Sequence, residues 1–163
     1  ITLLKAFKIL IKLTPSRLLL IGYGAKKSEI IDFIKKNKLQ KNVKLINFTF
    51  NPYKYMAKSD LFVLTSLYEG LPNVLLESMV LKKYIISSNC PTGPSEILNK
   101  GKYGELFPVK NYKDLSKKIF MYAKNKSKYK KKILDAYKSL KRFDKEKNCK
   151  SYLTEVKKLM KIN

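Results

Sequence analysis

The sequence predicts an α/β fold in which a parallel sheet carries helices on both faces. Short apolar runs alternate with segments whose apolar residues recur at helical spacing, up to about residue 111. These short runs consist almost entirely of apolar residues, which is typical of strands buried on both faces. An apolar content of 45% in 163 residues also suffices for one packed core. With right-handed crossovers, these elements predict a Rossmann-like domain.

The elements follow from their residues in chain order. Residues 1–13 space their apolar groups as a helix does, and Thr14-Pro15 ends it. The run RLLLIGYG (17–24) predicts a buried strand that two glycines close with a tight turn. The same arguments predict strands at 42–48, 60–65, 84–87 and 104–107, with helices at 28–38, 52–58, 72–81 and 94–99.

From Tyr112 onward the pattern is helical, with breaks expected near Lys126 and Arg142. We therefore expect residues 1–125 to form the Rossmann-like domain. Residues 126–163 are expected to form a Lys-rich helical tail that packs on the same domain.

The composition excludes several kinds of chemistry. The chain has no His, so it holds no His-ligated metal, no Ser-His-Asp triad and no Cys-His dyad of its own. Two cysteines, Cys90 and Cys149, are too few for a disulfide framework or a cysteine zinc site. Their scarcity favours a reduced, cytosolic protein. Lysines interrupt every apolar run before it reaches the roughly 18 residues of a spanning helix.

The charge is strongly positive, with 36 Lys and Arg against 12 Asp and Glu and a formal net charge of +24. The lysines lie in every segment, and Arg occurs only at Arg17 and Arg142. One interpretation is a solvated lysine surface that reflects overall composition; the other is attraction to an anionic membrane surface. Sequence-specific nucleic-acid binding is not expected, because base recognition relies on Arg and no recognised module is present.

The loops predict one functional edge. Loops at the carboxyl ends of the strands, where ligands of such sheets bind, contain Gly, Pro, Asn, Ser, Thr and Glu. The opposite loops are mostly Lys-rich turns. Gly22 and Gly24 alone fit either a sharp turn or a phosphate contact.

Residues 65–81 contain the strongest candidates for functional residues. Pro72 suits the first helical position, and Leu71 offers no capping oxygen, so backbone N–H groups stay free beside Gly70 for an anion. The helix is apolar almost all round, which predicts a buried Glu77. A buried carboxylate needs a partner, either the hydroxyls of a sugar or a neighbour such as Ser78 or Tyr68.

Glu69 and Glu77 stand within EGLPNVLLE, with seven residues between them. This motif, RLLLIGYG, the block 43–79 and SSNCPTGPSEIL (87–98) occur in the order seen in one family. The chain resembles, over about residues 1–125, the C-terminal donor-binding domain of family 4 (group 1) retaining glycosyltransferases of GT-B fold.

The resemblance implies roles for individual residues. Glu77 would accept the ribose hydroxyls of a nucleotide-sugar, and Glu69 would contact the donor sugar as the candidate catalytic residue. No metal or other cofactor is expected. The remaining donor-binding residues would be Gly70, Leu71, Pro72, Asn73 and Val74 at the sugar and diphosphate, Gly22 and Gly24 in the nucleotide pocket, Phe48, Thr49 and Phe50 near the base, and Cys90, Pro91, Thr92 and Gly93 along the pocket border.

The resemblance also implies incompleteness. Such enzymes have two Rossmann-like domains with the active site between them, and this chain matches one half. The strand and the Arg- and Lys-bearing loop that precede the matching region in the family are missing, as is the acceptor-binding domain. The start at Ile1 is consistent with a fragment, one half of a split enzyme or a decayed gene product. We expect a chain that does not transfer sugar alone.

The expected function is donor binding, most simply of a UDP-sugar, for retaining transfer to a glycan or lipid-linked acceptor in cell-surface polysaccharide synthesis. The expected location is cytoplasmic, peripheral on the inner face of the membrane. The alternative is a truncated, non-catalytic basic module that docks on membrane or RNA. A nucleotide-sugar epimerase would need a complete glycine fingerprint and a Tyr-x-x-x-Lys pair, which the chain does not supply.

Overall fold

The computed structural model describes residues 1–160. Their strands are β1 (Leu18–Ile21), β2 (Val43–Ile46), β3 (Leu61–Leu64), β4 (Tyr84–Ser88) and β5 (Glu105–Phe107). Their α-helices are α1 (Thr2–Leu10), α2 (Lys27–Lys36), α3 (Tyr53–Lys58), α4 (Asn73–Val80), α5 (Pro94–Ile97), α6 (Tyr112–Lys124), α7 (Lys130–Ser139) and α8 (Lys145–Met160). Strands and helices alternate through β5, as the sequence predicts.

All strand pairs among the described residues are parallel, but the sheet has two hydrogen-bonded parts. β1 pairs with β2, with Leu18 opposite Val43. β4 lies between β3 and β5, with Leu61 opposite Tyr84 and Ile86 opposite Glu105. Within residues 1–160 no pairing joins β1 to β3, so the sheet expected as one is divided between them.

Helices cover both faces, which confirms the predicted architecture. On one face, α1 packs along α6, and their apolar residues form a buried cluster with Tyr84, Ile86 and Phe107 of the sheet. On the other face, α4, α5 and α7 form a second cluster with Ile85. The core residues in or directly after these helices are Leu4, Phe7, Leu10, Leu115, Ile119 and Tyr122 in the first cluster and Leu75, Met79, Ile97, Leu98 and Ala136 in the second.

Both helix breaks predicted near the end of the chain are present as 3₁₀ turns, Lys126–Tyr129 and Leu140–Phe143. The first follows Asn125, whose side chain accepts a hydrogen bond from the Lys128 N–H and so favours a turn over continued helix. Pro72 lies one residue before α4 rather than at its first position.

The segment after residue 125 divides into two regions. α7 contributes Ala136 to the second cluster, and Arg142 donates to the Glu96 and Ile97 carbonyls at the end of α5 (3.3 and 2.7 Å). By contrast, α8 has no buried residue. The boundary at residue 125 stays a prediction. None of the described helices is long and apolar enough to span a bilayer.

Replacing Tyr122 with Phe is expected to lower the free energy of unfolding by about 1–2 kcal/mol. The Tyr122 hydroxyl donates to the Asp60 carbonyl (2.9 Å), and the substitution removes this donor while the ring keeps its stacking on Tyr84. Urea unfolding measures the effect. Tyr152→Phe is the control, because Tyr152 is 71% exposed. Equal stability of both variants and the unchanged chain would contradict the prediction.

Candidate functional site

Loops that follow β1 to β4 share the carboxyl edge of the sheet. After β1, Gly22 has φ +138° and donates its N–H to the Ile46 carbonyl at the end of β2 (3.0 Å). The positive φ favours glycine at this turn. The glycine turn therefore lies directly beside the loop that follows β2.

Three exposed aromatic rings lie at this corner. Tyr23 meets Phe48 edge-on, with ring centroids 6.2 Å apart, and Phe48 meets Phe50 in the same way at 4.9 Å. Their exposed fractions are 80%, 58% and 94%, respectively. We call these three residues the aromatic corner. Exposed rings held together by one another offer faces to a planar ligand.

The loops that follow β3 and β4, residues 66–72 and 88–93, are joined by hydrogen bonds. The Ser88 hydroxyl donates to the Ser66 carbonyl (2.7 Å), and the Thr92 hydroxyl donates to the Glu69 carbonyl. Gly93, at φ +75°, lies so close that a Cβ there would overlap the Gly70 oxygen and Pro72 Cδ. The structure thus brings together Glu69, Gly70, Pro72, Thr92 and Gly93, five of the residues predicted for the site.

The start of α4 faces this loop pair. Pro72 is the N-cap, and no side chain caps the helix. The Leu75 N–H bonds the Pro72 carbonyl (2.9 Å). The N–H groups of Asn73 and Val74, in the first turn, precede it. Free N–H groups and the positive end of the helix dipole favour an anion there.

Glu77 lies one turn further along α4. The Tyr53 hydroxyl, at the start of α3, donates to its Oε1 (3.2 Å), and this hydrogen bond raises the pKa of Tyr53. The two hydrogen-bond partners that the sequence suggested for Glu77 are not the ones it has. The Ser78 hydroxyl donates to the Val74 carbonyl instead, and Tyr68 is 80% exposed.

The expectation of an all-round buried α4 is wrong. The helix buries one face, formed by Leu75, Ser78 and Met79. Val80 is 55% exposed, and Glu77 is partly exposed. The side chain of Glu77 is therefore reachable from solvent, while Tyr53 orients it.

The remaining predicted residues differ in their surroundings. Cys90 is buried, whereas Pro91 is exposed beside it. Leu71 is 49% exposed, and Gly24 is open to solvent with no atom near its Cβ direction. Thr49 is partly buried, and its hydroxyl accepts from the Asn51 N–H (3.3 Å).

Tyr53 is the site residue that sequence reasoning missed. It stands 24 residues from Glu77, and no spacing rule joins the two. The one available signal is that Tyr53 begins the short helix after the second strand, at the edge where ligands bind.

An α/β domain of parallel strands whose polar, glycine-rich loops meet at the carboxyl edge is of the Rossmann-like, ligand-binding class. The family model for "Glycosyl transferases group 1" matches residues 1–139. The chain belongs to this glycosyltransferase family.

Two of the relatives that match in sequence are glycosyltransferases. The chain is 40% identical over 97 residues to the uncharacterized glycosyltransferase MJ1059 of Methanocaldococcus jannaschii, a match that covers 59% of this chain and 24% of that protein. It is 36% identical over 98 residues to a 4-alpha-N-acetylgalactosaminyltransferase acting on a diphospho-undecaprenol-linked sugar in Campylobacter jejuni, covering 60% of this chain and 27% of the relative. The chain thus spans about a quarter of their length.

Among solved structures, TarM superposes with a TM-score of 0.86 at 25% identity, over 93% of this chain and 31% of TarM. A Rickettsia africae glycosyltransferase gives the same TM-score of 0.86 at 19% identity, over 99% of this chain and 44% of that one. These superpositions confirm that the chain has the fold of one part of a GT-B glycosyltransferase.

Proposed function

We propose that this chain is the donor-binding half of a retaining glycosyltransferase, which holds a UDP-sugar for transfer to a glycan or lipid-linked acceptor in cell-surface polysaccharide synthesis. One observation carries the proposal. The paired loops 66–72 and 88–93 meet at the uncapped start of α4, and Glu77 follows one turn later on the same helix. Free N–H groups at the helix start can bind a diphosphate, and a carboxylate one turn later can bind the ribose joined to it.

Each group has chemistry that fits this ligand. Tyr53 occupies Oε1 of Glu77, which leaves Oε2 free to accept from ribose hydroxyls. The backbone N–H groups of Asn73 and Val74 would meet the diphosphate. Glu69 would contact the donor sugar, with Cys90, Pro91, Thr92 and Gly93 along the border. Gly22, Gly24 and the aromatic corner would receive the nucleoside, whose base has faces for stacking.

The reaction would break the bond between the sugar and the UDP oxygen and form a bond between the sugar and the oxygen of an acceptor hydroxyl, whose proton would leave with the UDP. Negative charge that develops on the leaving UDP would be stabilised by the N–H groups and the dipole of α4. We propose that no metal is needed and assign no protein nucleophile. A separate N-terminal domain would bring the acceptor hydroxyl, so this chain alone would bind donor without transferring it.

Solved structures of similar fold support UDP as the nucleotide. TarM has been solved with UDP, and Anabaena HepE has been solved with UDP and with UDP-glucose. The Staphylococcus aureus relative is a poly(ribitol-phosphate) alpha-N-acetylglucosaminyltransferase, 32% identical over 64% of this chain. A polymer as acceptor is consistent with the name of that relative.

Titration of this chain with UDP, GDP and ADP at low and high salt tests the proposal. A nucleotide that binds the folded state raises the melting temperature by mass action. We expect UDP alone to raise it, with the shift retained at high salt. Equal shifts for all three nucleotides that vanish at high salt would indicate only nonspecific electrostatic attraction between the lysines and the phosphates. That result would contradict a donor pocket.

Tyr53→Phe is expected to weaken UDP binding about threefold to tenfold, because one neutral hydrogen bond that orients Glu77 is lost. Calorimetric titration of the variant measures the change. Tyr68→Phe is the matched control, since Tyr68 lies on the same edge and is 80% exposed. A tighter or unchanged Kd for Tyr53→Phe would argue against orientation of Glu77 by this residue.

α8 favours a second role, attachment to an anionic membrane surface on the cytoplasmic side. Its apolar side chains recur at helical spacing, and most of them are exposed, 71% for Tyr152, 56% for Leu153 and 61% for Met160. Five lysines, Lys145, Lys147, Lys150, Lys157 and Lys158, lie on the same helix, against two acidic residues, Glu146 and Glu155. Basic amphipathic helices of this kind lie in membrane interfaces.

Vesicle flotation tests this second role. The chain should float with vesicles that contain phosphatidylglycerol and stay behind with pure phosphatidylcholine. Leu153→Ser should reduce flotation. Binding that ignores anionic lipid content, or that Leu153→Ser leaves unchanged, would contradict the role.

A further inference from the structure

Helix α3 is short and mostly unburied, yet it carries the tyrosine that orients Glu77. Of its six residues, only Met56 is buried. Helices of this length are marginal without tertiary contacts, because one turn does not offset the entropy lost in forming it. The position of Tyr53 at the site therefore depends on what holds α3 in place.

The partly buried side chain of Lys83 holds the far end of α3. Its ammonium donates to the carbonyls of Ala57, in the last turn, and Ser59, directly after the helix (2.5 and 2.9 Å). A helix leaves its last carbonyls without partners of its own, and a cation at this end also complements the helix dipole. Lys83 thus caps a helix that lies 26 residues before it in the chain.

The backbone that carries Lys83 is fixed by the end of α4. The Lys82 N–H bonds the Met79 carbonyl (3.0 Å), and the Lys83 N–H bonds the Ser78 carbonyl (2.9 Å). With Lys82 at φ +52°, these bonds form a Schellman motif, a closed turn that ends many helices. Lys83 therefore leaves α4 in a defined direction.

Two contacts join α3 to α4 and its closing turn, one at each end of α3. Tyr53 at the start of α3 donates to Glu77 (3.2 Å), and Lys83 holds the last turn. We propose that Lys83 is a positioning residue of the donor site: by fixing α3 against α4, it keeps the Tyr53 hydroxyl on Oε1 of Glu77 and leaves Oε2 for the ribose. This role at the donor site rests on the proposed function, whereas the hold of Lys83 on α3 does not.

NMR tests the hold of Lys83 on α3 without a nucleotide. In the Lys83→Met variant, amide exchange at Met56, whose N–H bonds the Pro52 carbonyl (3.1 Å), should accelerate at least about tenfold. The Tyr53 Cζ signal should move towards that of a free tyrosine. The pKa of Tyr53, which the hydrogen bond to Glu77 raises, should fall towards its ordinary value.

Two further variants separate this role from a general effect of charge or stability. Lys83→Arg keeps a cation with several donors and should restore the Tyr53 signals, since Arg142 caps α5 in the same way. Lys82→Met should leave them unchanged, because the Lys82 ammonium lies over the Tyr137 ring of α7, 4.8 Å from its centroid. Urea unfolding checks that each variant is folded.

Titration with UDP tests the effect on the donor site. Lys83→Met should weaken UDP binding about threefold to tenfold, the range expected for Tyr53→Phe, because both variants lose the same hydrogen bond. The double variant should bind no more weakly than Tyr53→Phe alone, since Lys83 acts through Tyr53. Additive losses in the double variant would overturn this route.

Other results would also overturn the inference. Unchanged exchange at Met56 with an unchanged Tyr53 signal in Lys83→Met would show that Lys83 does not hold α3. A changed Tyr53 signal with full UDP affinity would show that the ordering of α3 does not set donor binding. If the unchanged chain bound no UDP, the proposed function and the role at the donor site would fail together, whereas the Tyr53 signal would still decide whether Lys83 orients the pair.

Discussion

UDP binding should fall about 100-fold in the Glu77→Ala variant. A charged acceptor that serves two ribose hydroxyls contributes about 1.5 kcal/mol or more for each hydrogen bond, and about 3 kcal/mol corresponds to about 100-fold in Kd. The partly exposed side chain of Glu77 supports little of the core, so folding should be retained. Calorimetric titration with UDP gives the Kd, and urea unfolding checks stability.

Two companion variants sharpen this test. Glu77→Gln keeps the shape and an oxygen for Tyr53 but loses the charge, so its binding should lie between that of the unchanged chain and Glu77→Ala. Glu146→Ala, on α8, removes an equal charge away from the site and should bind UDP normally. Full affinity in Glu77→Ala would refute the assigned site.

The Gly93→Ala variant should lose about 2–5 kcal/mol of unfolding free energy, because a left-handed non-glycine residue costs about 1–2 kcal/mol and overpacking about 1–3 more. Its Cβ would overlap the Gly70 oxygen and Pro72 Cδ, which separates the two site loops. The melting temperature should fall by about 5–15 °C, and UDP binding should be lost with it. Thermal unfolding and titration measure both effects.

Gly101→Ala separates backbone strain from steric overlap. Gly101 also has a positive φ, +93°, but nothing lies within 4 Å of its Cβ position. It should therefore show only the backbone cost of about 1–2 kcal/mol and normal UDP affinity. If the two glycine variants were equally stable and bound UDP equally well, close packing of the site loops would not matter.

The order and type of the elements could be predicted from sequence because they depend on local spacing. The segment YIIS (84–87) begins with three apolar residues, and it lies in the strand with neighbours on both sides. EGLPNVLLE predicted a helix start with free N–H groups at a functional edge, and α4 begins there uncapped. Such patterns involve residues within a single helix turn or strand, where the backbone geometry alone determines which side chains lie on the same face.

Tertiary structure decided what depends on contacts between distant segments. It made Tyr53, rather than Ser78 or Tyr68, the partner of Glu77, and it exposed one face of a helix that its own residues predicted to be buried. It set Gly93 against Gly70 and, within residues 1–160, left β1 and β3 without hydrogen-bonded pairing to each other. The physical reason is that the spacing of apolar residues along a segment determines which element it favours. Which of its faces is buried, and which strand it pairs with, depend on the other elements that pack against it.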